Sequence, residues 1–256
     1  MAVNRATDHP NLVHNDEYAR SHGFRGGLVP GVDVYAYMTR AAVEHLGREW
    51  IERGEGEVRF LRPVYDGDAL DIDATGDESD ALTITASCAG EVRALLTARR
   101  GPRPESDQNH IREAPIFEPK LKAVRKSFPE GLVLGSLAVK LTESDCVTQL
   151  AEVGEELDFY RLERLVHPGH LLRFADQALS ANVDLPPWMH VGSFVHHHAL
   201  VHWDESISVR ARVMGTFVRK RNQFVQLEVE MSTGDGRPVM RVSPYTAIYK
   251  PSFVRA

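Results

Sequence analysis

The sequence predicts an α+β fold built twice over. Two similar helix openings, a strand series behind each, and a gap-free internal match carry this reading. After Pro30-Gly31 the apolar residues Val34, Tyr37, Met38, Ala41, Ala42 and Leu46 recur at three- and four-residue spacing, which predicts an amphipathic helix with Gly54 as its end. Strand patterns follow at Glu57–Leu61, Ala69–Ala74, Ala81–Ala89 and Val92–Arg99, with turns at 76–80 and at Gly90. Pro168-Gly169 opens a second apolar helix with Leu171, Leu172, Ala175 and Leu179. Strands are again expected at Val191–His197, Ser206–Met214, Gln223–Met231 and Met240–Tyr249. Residues 62–72 lie over 199–209 without a gap, and the apolar and acidic positions largely coincide. That match argues for internal duplication. A helix followed by an antiparallel meander, twice, buries each helix stripe most simply inside a curved sheet. The division expected is 1–100, a connector at 101–131 rich in proline and charge, and 132–256. Ile116, Phe117 and Leu121 are apolar enough to dock.

Composition narrows the function classes. The chain has 256 residues, 43% hydrophobic and 26% charged, as an ordinary globular protein has. Thirty Lys and Arg stand against 36 Asp and Glu, a formal charge of −6, which argues against a nucleic-acid partner. No apolar run approaches the roughly 20 residues that span a bilayer, and Met1–His9 has no apolar core of a secretory signal. With two cysteines, Cys88 and Cys146, neither a disulfide framework nor a cysteine zinc site is expected. A reduced cytoplasmic location follows as an expectation.

The stretch richest in chemistry is Asp8-His9-Pro10-Asn11-Leu12-Val13-His14, followed by Gly26-Gly27 and Pro30-Gly31. It resembles the MaoC-like family of R-specific enoyl-CoA hydratases and 3-hydroxyacyl dehydratases. Their motif reads Asp-x-Asn-Pro-(Ile/Leu)-His, with a glycine opening the central helix. Asn11 matches the motif Asn, Val13 the aliphatic position, His14 the His and Gly31 the helix glycine. Leu12 replaces the family Pro, and Pro30 stands where a His often precedes the helix glycine. Gap-free alignment puts His9 on the catalytic Asp, and Asp8 falls one residue early, so both stay open for that position. The second half carries a degenerate form at Gly154–Tyr160, with Glu155 for Asp, Leu157 for Asn and Tyr160 for His. A tyrosine, with a reference pKa of about 10, is a poor general base at neutral pH.

The resemblance implies a double hot-dog fold and one working site, in the first half. It implies hydration of trans-2-enoyl thioesters or dehydration of (R)-3-hydroxyacyl thioesters. No cofactor is needed beyond the coenzyme A or phosphopantetheine of the substrate, and an acyl carrier protein is a candidate partner. In that reading His14, with Asp8 or His9, activates water, Asn11 orients the pair, and the Gly31 N–H polarises the thioester carbonyl. These are sound residue types for the task. Histidine titrates near neutrality, and a helix N-terminus stabilises a developing oxyanion. The alternatives are an acyl-CoA thioesterase, which needs a carboxylate at the thioester carbonyl, and a non-catalytic acyl-binding subunit. Both a monomer and a homodimer fit.

Pro30 and His9 are also candidates for contact with the substrate. Arg25, Arg59, Arg62, Arg219 and Arg221 are candidates for its phosphates, since guanidinium suits phosphate. Arg219-Lys220-Arg221-Asn222 otherwise reads as a solvated hairpin turn. His196-His197-His198 offers at most two ligands per strand face, so no metal is expected. His167 and His170 flank the second helix start as structural histidines, and Cys88 reads as a small core residue.

Overall fold

The computed structural model describes residues 1–76, 81–101 and 110–249. The expected turn at 76–80 falls largely outside them, as do residues 102–109 of the connector. Eleven strands and six helices form the described fold. The helices are α1 (Asp16–Ser21), α2 (Gly31–Leu46), α3 (Glu49–Arg53), α4 (Glu143–Glu152), α5 (Phe159–Leu162) and α6 (Pro168–Asn182). The strands are β1 (Glu55–Phe60), β2 (Asp71–Gly76), β3 (Ala81–Cys88), β4 (Glu91–Arg99), β5 (Leu121–Lys122), β6 (Leu137–Lys140), β7 (Val183–Asp184), β8 (Trp188–His197), β9 (Ser206–Arg219), β10 (Asn222–Thr233) and β11 (Pro238–Tyr249).

Nine strands make one sheet in the order β2-β3-β4-β1-β8-β11-β10-β9-β6. The two halves meet at an antiparallel seam in which Gly56 pairs with Val195 and Val58 with Ser193. Alternating apolar residues, such as Leu82, Ile84 and Ala86 of β3, send one face of each strand into a shared core. The long helices α2 and α6 lie side by side against that sheet.

The helix α2 starts where Pro30 ends extended chain. It stops at Gly47, eight residues before β1 begins, rather than at Gly54. Gly47 takes φ +81 and its N–H returns to the Val43 carbonyl, a left-handed cap suited to glycine. The short helix α3 fills the interval and ends at Gly54. Burial on α2 is wider than the predicted stripe. Tyr35 and Val43 are buried while Tyr37 is only partly so, because α6 covers a second flank of the helix.

Hydrogen bonds repeat between the halves at one constant interval along the chain. Val29 N–H on the Val64 carbonyl recurs as Val166 N–H on the Val201 carbonyl. The bridge Leu28–Tyr65 recurs as Leu165–His202. The Tyr65 N–H on the Asp68 carboxylate recurs as the His202 N–H on Glu205. The same interval carries Gly31 onto Pro168 and Pro30 onto His167. The structural repeat therefore sits one residue away from the Pro-Gly match seen in the sequence.

The described part of the connector is docked. Ile111 is buried, its N–H bonds to the Glu230 carboxylate at 2.9 Å, and β5 pairs in parallel with β7 at the end of α6. Asn182 holds Gly135 by both its N–H and its carbonyl, each at 2.8 Å. The predicted hairpin is present: Lys220 and Arg221, at φ +49 and +65, close β9 onto β10.

Candidate active site

A cavity of about 610 Å³ lies between the first-half loop and the second-half elements α6 and β8. Asp8, His9, Asn11, His14, Pro30 and Gly31 line it from the first half. Val29, Val34, Phe60, Trp188, Met189 and Ile248 give it an apolar wall.

His14 ends a short 3-10 turn, Leu12–His14, which Val13 anchors against Leu28 and Ala19. Its Nδ1 lies 2.7 Å from the Leu28 carbonyl oxygen. A carbonyl only accepts, so Nδ1 carries the hydrogen and Nε2 keeps its lone pair in the neutral ring. Burial pushes the His14 pKa below its ordinary value, although the Leu28 carbonyl and the charge of Asp176 pull the other way. The ring is therefore a neutral base at pH 7.

His9 has the opposite tautomer. Its Nδ1 accepts the Asn11 N–H at 3.0 Å, so the hydrogen sits on Nε2. The two imidazoles meet edge to face with centroids 5.6 Å apart. The site thus pairs one ring able to accept a proton with one able to donate a hydrogen bond. Asp8 is exposed at the rim.

Asn11 does not touch either histidine through its side chain. Its Nδ2 donates to the Trp188 carbonyl at 2.8 Å and its Oδ1 accepts the Trp188 N–H at 3.2 Å. This clamp fastens the His-bearing loop to β8 of the other half. What Asn11 presents to the pair is its backbone N–H, donated to His9 Nδ1.

Gly31 is the first residue of α2. Its N–H and that of Val32 have no protein acceptor among the described residues, as expected for an uncapped first turn. A Cβ on Gly31 would lie 3.0 Å from the Phe60 ring, so the glycine also gives the cavity its width. The second half treats the equivalent helix start differently. His167 Nδ1 accepts the Gly169 N–H at 3.1 Å, while its Nε2 lies 3.3 Å from Glu155 and 3.3 Å from Thr39 Oγ1. Tyr160 is buried against the same ring. This stretch is thus sealed within the fold: Pro168, at the position of Gly31, has no N–H, and the next donor, that of Gly169, is already used.

The structure does not bring Arg25, Arg59, Arg219 or Arg221 to the cavity wall. Arg25 is bonded to Asp68 and stacks on Tyr65, and Arg59 is exposed, 3.8 Å from Glu57. The 219–221 turn lies at the same end of the sheet, since Gln223 pairs with Tyr249 and Tyr249 with Trp188. The arginines that do line the cavity are Arg5, Arg62, Arg93 and Arg173. Arg173 pairs with Asp33 at 2.8 Å, and Arg62 with Glu91 at 2.5 Å. Sequence reasoning also missed Asp176 and His190, which reach the cavity from α6 and β8. His197 is buried beneath Trp50 and burial pushes its pKa down to about 3. No group of three metal-ligating side chains occurs among the described residues, and no helix there is long and apolar enough to cross a membrane.

No protein-family model matches the chain, and no curated protein matches it. Solved structures do. A MaoC-like dehydratase superposes with a TM-score of 0.60 at 14% identity, over 98% of this chain and 94% of that one. A conserved protein from Mycobacterium tuberculosis, described as a double hot-dog fold, gives 0.55 at 16% identity over 92% and 87%. The chain has the double hot-dog fold. A protein from Lactobacillus plantarum provisionally named an oleoyl thioesterase gives 0.52 at 12% identity over 88% and 91%. At such identity the likeness is one of fold, and the reaction has to be argued from the cavity.

Proposed function

We propose that this protein adds water to trans-2-enoyl thioesters, or removes it from (R)-3-hydroxyacyl thioesters, carried on coenzyme A or a carrier protein. The observation that carries this reading is the state of His14. The Leu28 carbonyl holds its Nδ1–H, leaving the Nε2 lone pair on a ring that lines the same cavity as the free N–H groups of Gly31 and Val32.

In the hydration direction His14 Nε2 takes a proton from water as the water oxygen bonds to C3. The C2=C3 electrons move toward the thioester, whose oxygen becomes an enolate. The N–H groups at the start of α2 and the helix dipole stabilise that oxyanion; losing one such donor typically costs about 2.7–4 kcal/mol of barrier. The imidazolium then returns a proton to C2, which completes addition of one water. His9 lends an Nε2–H donor beside this path. Asn11 acts through the clamp on Trp188. Arg5, Arg62 and Arg93 offer guanidinium groups for the carrier's phosphates.

A second reading, thioester hydrolysis, draws support from Asp176, a carboxylate in the cavity wall. One experiment separates the two. Crotonyl-CoA and a longer enoyl-CoA are followed by loss of enoyl absorbance, with free thiol tracked in parallel, for wild type and His14→Ala. Enoyl loss without thiol, abolished by the substitution, supports the hydro-lyase. Thiol release transfers the reading to hydrolysis, and silence on both readouts refutes it for these thioesters.

A further inference from the structure

The family motif places a carboxylate beside its histidine, and here the gap-free position holds His9 while Asp8 is an exposed rim residue. Another carboxylate lines the cavity from the opposite side. Asp176 projects from the middle of α6, a helix of the second half, into the space that His9, His14 and Gly31 line from the first. It is no ordinary surface acid, since its side chain is only 20% exposed and Oδ1 is sealed from solvent.

His190 of β8 stands directly behind it. This side chain is 2% exposed and its Nδ1 lies 3.2 Å from Asp176 Oδ1, while its Nε2 lies 2.7 Å from Ser193 Oγ. Neither Oδ1 nor Nδ1 makes a well-aligned hydrogen bond within the protein. These two atoms are sealed inside the wall and face one another, so the carboxylate oxygen left toward the cavity is Oδ2. Phe60 and Tyr245 pack on the two sides of the His190 ring and hold it in place.

We propose that Asp176, backed by His190, is the carboxylate partner of His14, so that the reactive site is assembled from both halves of the chain. The proposal rests on the hydro-lyase reading above. The attacking water has two hydrogens. One passes to His14 Nε2 as the C3–O bond forms, and the other is held by the Asp176 carboxylate, which keeps the oxygen lone pair aimed at C3. The negative charge of Asp176 also stabilises the imidazolium until it protonates C2. The proton taken from water passes on from His14 to C2, Asp176 keeps its charge throughout, and both groups end the cycle as they began it, so atoms and charge balance.

The electrostatics agree with this placement. Asp176 raises the proton affinity of both His14 and His9 against the larger effect of burial. The other charged or titratable groups around Asp176 are Arg173 on its own helix, Asp33 of α2, His190 of β8 and Tyr245 of β11. Arg173 is already paired with Asp33 at 2.8 Å and lies 3.7 Å from Glu152. Asp176 is therefore not consumed by that arginine.

The test uses the full chain and enoyl-CoA hydration. Asp176→Asn keeps the shape and an acceptor oxygen but removes the charge. Its kcat is expected to fall by roughly a hundredfold, the lower range for loss of acid–base assistance, with KM little changed. The acid limb of kcat/KM, where His14 loses its free lone pair, is expected to move to lower pH, because the charge that favours the imidazolium is gone. A merely structural role leaves that limb in place. Asp176→Asn with wild-type kcat and an unmoved limb overturns the proposal, and more decisively if Asp8→Asn carries the loss instead. If the Asn variant does not fold, as read by its melting transition, Asp176→Glu decides: kcat reduced with the limb unmoved supports the proposal, and wild-type kcat overturns it. A wild-type protein that hydrates no enoyl thioester refutes the hydro-lyase reading itself, a result distinct from either.

Discussion

Replacing Asn11 with Ala tests the clamp between the halves. The side chain makes two bonds to one buried residue, at 2.8 Å to the Trp188 carbonyl and 3.2 Å from its N–H, and Asn11 itself is 7% exposed. Truncation leaves both backbone groups of Trp188 without partners where water enters poorly. Each orphaned group costs about 1–3 kcal/mol, so the change destabilises the clamped state by about 2–6 kcal/mol. For a chain of this size 1 kcal/mol corresponds to roughly 2–4 °C, so a mid-range loss of about 4 kcal/mol lowers the melting temperature by about 8–16 °C if the whole fold bears it. If the loss is borne locally, the 8–19 segment opens on its own. Thermal melting and amide hydrogen exchange of that segment therefore read the prediction together. Asn11→Asp is expected to lose about as much, since a carboxylate cannot donate to the Trp188 carbonyl. Unchanged melting together with unchanged exchange in Asn11→Ala would refute the clamp.

Three further outcomes are expected. Gly31→Ala places a Cβ 3.0 Å from the Phe60 ring, a contact that pushes the ring aside; steady-state kinetics should show a large loss of activity, while melting moves little because the half-buried ring can give way. Burial raises the Glu155 carboxyl, but the hydrogen bonds from His167 and the Leu157 N–H outweigh it and hold the pKa below the usual value. Its stabilisation is present above the unfolded value of about 4.3 and is lost as pH falls through the lower folded one; Glu155→Gln should melt lower at pH 7 and lose less on acidification. His197 is neutral in the core, so as pH falls from about 6.5 toward its folded value of about 3 the unfolded chain binds a proton that the folded chain does not, and stability drops. His197→Phe should flatten that part of the melting-versus-pH curve.

The two long helices and the strand series were legible because each buries one face against a sheet, and burial writes a period into the sequence. Tyr35 was missed because α2 is covered on two flanks, which widens the stripe beyond a simple three-four pattern. The seam between β1 and β8 leaves no local sign, since pairing partners so distant share no sequence signal. Among site residues, His14 and Gly31 were readable from the motif, and both line the cavity. Arg25, Arg59, Arg219 and Arg221 were chosen by residue type alone, and that says nothing of where a side chain points. Asp176 had one signal: it lies four positions after Leu172 and beside Ala175, an acid at the edge of a buried helical face. A carboxylate there is costly unless something holds it, and that anomaly would have directed attention to α6.

The clamp of Asn11 on Trp188 and the seam of β1 on β8 tie the first-half loop to the second-half wall within a single polypeptide. In the proposed reading the working geometry is then an intramolecular property, with an effective local concentration that dilution does not touch. Turnover per chain should stay constant however far the protein is diluted, and a tight-binding thioester analogue should saturate at one equivalent per chain. The second helix start lies outside the cavity lining, and His167 spends its nitrogens inside the fold.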